Sequence, residues 1–177
     1  MRLVEEGFLR PWLDGGAQSA WAIPGKEDVP KCPTGYVVSF VLFHKQGLGT
    51  PASNFFRGLL HHYKIELQNL NPNSVLQMAV FMVLCEGYLG IKPNFALWRH
   101  FFSASVFLKT VKKGEMVPVP IGSCSIQVRQ SRQDGYISMK GMSSNKGWHH
   151  KWFYLRNDAE APLPAFTGRS FTVTPEH

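Results

Sequence analysis

The chain has 177 residues, 44% of them hydrophobic and 13% aromatic against 18% charged, proportions that exclude a disordered or fibrous chain and suit one domain with its own core. Its formal charge of +7 is unevenly placed: residues 92–156 hold eleven Lys and Arg against Glu115 and Asp134, a balance of +9, and the remainder stands at −2. Cys32, Cys85 and Cys124 stand far apart, odd in number and without a Cys-x-x-Cys pair, which argues against a disulfide framework or a zinc knuckle and for a reducing, intracellular setting.

The start, "MRLVEEGFLRPWL", has no apolar run of signal-peptide length, and the longest apolar run, Met78 to Cys85, is eight residues against the roughly 20 that span a bilayer. A soluble protein with no membrane partner is expected. Residues 1–35 are rich in Gly and Pro and show no period, so they read as an extended leader pinned by Trp12 and Trp21. Residues 36–44, "YVVSFVLFH", are apolar on both faces except Ser39 and predict a central strand. Gly47-Leu48-Gly49 follows, but it lacks the third glycine of a dinucleotide loop and the Gly-Lys-Ser/Thr ending of a P-loop, so no cofactor is expected. Thr50 and Pro51 fit the cap and first position of a helix whose apolar face is Phe55, Phe56, Leu59, Leu60 and Tyr63.

Asn71 and Pro72 open a second helix, apolar nearly all round and therefore expected to be buried, which Gly87 and Gly90 end. Pro93 opens a third that buries Trp98 and extends through "SASVFLKTVKKGEM" toward Gly114. Beyond Met116 the period changes to alternation: Cys124, Ile126 and Val128 face one way, and Ser123, Ser125, Gln127 and Arg129 the other. Asp134-Gly135 marks a turn, "YISMKGM" a returning strand, and "WHHKWFYLR" at 148–156 a third strand. That last stretch supports two readings, a basic aromatic platform for nucleic acid or a core strand with Phe153 and Leu155 inward and Trp152 and Tyr154 half-covered. The expected architecture is α+β, with helices at about 51–105 packed on a mostly antiparallel sheet from 36–44 and 117–156. One domain, 36–166, lies between the leader and a loose tail, 167–177.

Three stretches, "GYVVSFVLFHKQGLGTPASNFFRGLLHHYKIEL", "LNPNSVLQMAVFMVLCEGYLGIKPNFALWRHFF" and "SSNKGWHHKWFYLRND", resemble the gypsy-type transposon domain abundant in grass genomes, the motif Leu84-Cys85-Glu86-Gly87-Tyr88-Leu89-Gly90-Ile91 with Pro93 and Leu97-Trp98 being the most specific. The resemblance runs from about Leu3 to about Gly168 and implies an origin in a long-terminal-repeat element of plants. Members of that family often continue with helical and polar sequence that this chain lacks, and the resemblance therefore implies a truncated copy or a gene model cut short. The family brings no catalytic residues to place. The chain itself lacks the Asp-Thr/Ser-Gly of an aspartic protease, the Tyr-x-Asp-Asp of a polymerase and an integrase-type carboxylate triad.

Glu86 closes an apolar helix and is expected to be a buried structural partner of a base such as Arg57 or Arg99. His61-His62 and His149-His150 are adjacent pairs whose side chains diverge, so no metal site is expected. The expectation is a non-enzymatic module that binds RNA or DNA weakly and without sequence preference through Lys109, Lys112, Lys113, Arg129, Arg132, Lys140, Lys146 and Lys151. The alternatives are a domain that associates with itself or another element protein, with the basic surface incidental, and a truncated copy with no host function.

Overall fold

The computed structural model describes residues 21–25, 30–110, 114, 116–138, 146–157 and 160–165. The leader before Trp21, Lys112, Lys113, Lys140 and the 167–177 tail lie outside the described residues. The fold is α+β, built from helices and small antiparallel sheets.

Strand β1 is Trp21–Ala22 and β2 is Tyr36–Phe40. The strand expected over 36–44 stops at Phe40, and Val41–Lys45 turns into a short helix, α1. A buried polar corner accounts for this. His44 Nε2 lies 2.9 Å from Ser39 Oγ and its Nδ1 lies 3.1 Å from the Leu48 carbonyl oxygen, so the imidazole spans strand, helix and following loop. Gly47, at φ +97°, lets this loop approach the next-but-one helix so closely that an added Cβ would sit 2.8 Å from Ala79 Cβ.

Helix α2 is Asn54–Tyr63, with Ser53 rather than Thr50 as its cap: the Ser53 hydroxyl accepts the Phe56 amide at 3.1 Å. Its apolar stripe buries Phe56, Leu59, Leu60 and Tyr63. Helix α3 is Pro72–Val83, with Asn71 as cap and Pro72 in the first turn as the sequence predicts. It buries Pro72, Ser74, Val75, Met78 and Phe81. The expectation of a helix buried all round is corrected in part: Leu76, Ala79, Val80 and Met82 are half-covered, Ala79 by the Gly47 loop, and Val83 is 57% exposed. A π-type turn, Leu84–Tyr88, continues it and buries Cys85.

Helix α4 is Phe95–Phe101, capped by Asn94. The helix does not extend toward Gly114; Phe102–Val106 is strand β3. Its residues alternate, and Phe102, Ala104 and Val106 stand opposite Val128, Ile126 and Cys124 of β6, Cys124–Val128. Between them a small hairpin joins β4, Leu108–Thr110, to β5, Met116–Pro118. The outer edge of β6 is held by the start of α3: the Ser74 hydroxyl accepts the Ile126 amide at 2.8 Å and lies 3.2 Å from the Cys124 carbonyl. "YISMKGM" does not return as the partner of β6, since β3 takes that place and Gln130–Gly135 is a 3₁₀ turn.

The last strand, β7, is Trp152–Arg156 and lies at the centre of a three-stranded sheet of order β1-β7-β2. It pairs antiparallel with β2 from Tyr36↔Arg156 to Phe40↔Trp152, and with β1 at Trp21↔Leu155 and Ala22↔Tyr154. Phe153 and Leu155 are buried as expected. Tyr154, expected to be half-covered, is buried too, because its hydroxyl donates to the Lys31 carbonyl at 2.8 Å and accepts the Lys31 amide at 3.0 Å. Trp148–His150 is a 3₁₀ turn before the strand, and Trp148 packs edge-on against Phe40 at 4.6 Å.

Candidate nucleic-acid interface

The expected basic residues fall on several elements. Lys109 is exposed on β4, Arg132 is exposed in the 3₁₀ turn after β6, and Lys146 and Lys151 are exposed on either side of the Trp148–His150 turn. Arg129, at the end of β6, is half-buried and fixed: its backbone amide donates to the Phe101 carbonyl at 2.7 Å and its Nε to the Arg99 carbonyl at 2.8 Å. Arg132 is drawn to it by backbone, its amide donating to the Arg129 carbonyl at 2.8 Å. The structure thus brings Arg129 and Arg132 together beside the last turn of α4, which carries Arg99 and His100. Lys109, Lys146 and Lys151 stand on other elements. An open groove of about 580 Å³ lies at the arginine corner, lined by Ser103, Arg129, Gln130 and Ser131.

One residue of interest escaped the sequence reading. Phe107, directly after β3, is 71% exposed. Its amide donates to the Ser123 carbonyl at 2.6 Å, which continues the β3–β6 ladder by one residue. The signal was present as the alternation Ser103, Ser105, Phe107, and assigning this stretch to a helix concealed it.

The structural assignments divide. Trp98 is fully buried, stacked 4.1 Å from Phe102, with its Nε1 donating to the Tyr63 hydroxyl at 3.2 Å. Glu86 is a correction: it is exposed, not buried. The π-type turn buries Cys85 and leaves the next residue at the surface, at the rim of a second cleft of about 330 Å³ lined by Leu48, Phe56, Ala79 and Met82 among others.

Burial also decides the protonation of two titratable groups. Burial pushes the His44 imidazole down to about 4 despite its bond to the Leu48 carbonyl, and raises the Cys124 thiol to about 12. Ser39 and His44 are 0% and 1% exposed, so the hydroxyl–imidazole pair has no access for a substrate and serves the corner it closes. Among the described residues no group of three or more His, Cys, Asp or Glu could hold a metal ion, and no helix is long and apolar enough to cross a membrane.

Residues 37–106 match the model of a family described as "Putative gypsy type transposon", which confirms over that stretch the resemblance read from the sequence. No curated protein and no solved structure matches the chain. The matched segment runs from the second residue of β2 to the last of β3. It holds the π-type turn and its motif, and it ends before Lys109, Arg129 and the basic residues that follow.

Proposed function

We propose that this transposon-related chain is a non-enzymatic module that binds nucleic acid weakly and without sequence preference through its basic C-terminal half. The carrying observation is the charge division: +9 over residues 92–156 against −2 elsewhere, with Lys109, Arg132, Lys146 and Lys151 all exposed. Phosphate neutralisation by such residues releases counterions and needs no base readout. Titration of labelled RNA and DNA at several salt concentrations tests it. Affinity falling steeply with salt is expected; no binding at low salt removes this reading.

A second reading, self-association or docking of another element protein, is favoured by one observation. Val83, Tyr88, Leu89 and Ile91 around the π-type turn are 57%, 80%, 62% and 41% exposed, an apolar grouping of the kind that marks contact surfaces. Light scattering of the purified chain separates a monomer from an assembly.

A further inference from the structure

We infer that the outward face of the β3–β6 ribbon is a seat for single-stranded nucleic acid, with phosphate at its arginine end and a base stacked on Phe107. This rests on the nucleic-acid reading above and gives it a place.

The register decides which side chains share that face. Phe102, Ala104 and their partners Val128 and Ile126 turn inward, and the alternate positions Ser103 and Ser105, opposite Gln127 and Ser125, turn outward. These four are hydroxyls and an amide, and each keeps at least part of its surface in solvent. None is a carboxylate, so along the ribbon itself a polyanion meets hydrogen-bonding groups; Asp134 stands beyond it, in the 3₁₀ turn that carries Arg132.

The ends of the ribbon differ in a way that suits one strand of nucleic acid. At one end Arg129 is anchored through its Nε to the Arg99 carbonyl, and the groove between it, Ser103 and Ser131 is open to solvent. An anchored guanidinium loses less freedom on meeting a phosphate than a free side chain does. Arg132 adds a second positive charge at this corner. At the other end Phe107 exposes 71% of its surface to water, and Lys109 follows two residues later. A phenyl ring exposed at the end of a strand, with a lysine two residues on, offers an unpaired base a stacking face whatever its identity. Five residue pairs at about 3.3 Å per residue give a track of roughly 16 Å, the length of a few nucleotides. A duplex keeps its bases stacked on one another and offers Phe107 no face.

The test uses the full chain with a labelled mixed-sequence single strand and the matching duplex. The single strand should bind more tightly. Phe107→Ala should weaken its binding about tenfold with the salt slope unchanged, and Arg132→Gln should lower the salt slope by about one. Lys146→Gln combined with Lys151→Gln, on either side of the Trp148–His150 turn and off the ribbon, should weaken single strand and duplex alike and leave the preference for the single strand unchanged. Both Phe107 and Arg132 are exposed, so melting temperatures should stay at the parent value and verify folding. Equal affinity for duplex, an unaffected Phe107→Ala variant, or a Lys146/Lys151 variant that loses the single-strand preference overturns the seat while the broader reading stands. A parent chain that binds nothing at low salt overturns both.

Discussion

His44 shows how one side chain can set a local fold and tie it to pH. Its imidazole joins Ser39 to the Leu48 carbonyl inside the corner between β2 and α1, and burial holds its pKa at about 4 against 6.5 for a solvated histidine. Between these values the unfolded chain takes up a proton that the folded chain refuses, so stability is full above about pH 6.5 and is lost as pH falls toward 4. The shift corresponds to about 3 kcal/mol over that window. Urea midpoints measured from pH 7 to pH 5 should fall, and a His44→Asn variant should show a flatter dependence over the same range. An equal slope in both proteins would remove His44 as the cause. At this scale the sequence named Ser39 only as an interruption in an apolar run, because the partner that makes it useful is five residues away around a corner that periodicity does not reveal.

Among the elements, those specified by local chemistry were legible. Asn71-Pro72 opens α3, and the alternation of Cys124, Ile126 and Val128 gives β6, because a cap and a half-buried face each leave a signature within a few residues. Elements chosen by distant partners were not. Phe102–Val106 prolongs an apolar run that a helix could use, and it is a strand because β6 lies beside it. The candidate site divides in the same way: the basic residues are identifiable by type, whereas the anchoring of Arg129 depends on a carbonyl 30 residues earlier. The strand at 152–156 answers by its cover. Phe153 is 2% exposed on the core side and Trp152 only half-buried. Phe153→Ala should therefore cost about 3–5 kcal/mol and Trp152→Ala distinctly less, as chemical denaturation of the two variants can show; the reverse order would mean that the strand's faces have been exchanged.

For the molecule as a whole, composition and period sufficed for the α+β class, while the sheet of order β1-β7-β2 follows from pairings across most of the chain. The pairing of β2 with β7 joins residues 112 to 120 positions apart, from Phe40↔Trp152 to Tyr36↔Arg156. Residues 37–106, the stretch that matches the transposon family, contain β2 and β3 but neither β7 nor β6. A peptide of that stretch alone should show no cooperative melting by circular dichroism, whereas the full chain should. The same pairing sets a delay during synthesis. At roughly 5–20 residues per second, β2 is made about 6 to 24 s before β7, and through that interval Val37, Val38 and Phe40 lack the strand that pairs with them. Until β7 is made the nascent chain therefore carries an uncovered apolar strand edge, the kind of segment that invites wrong pairing.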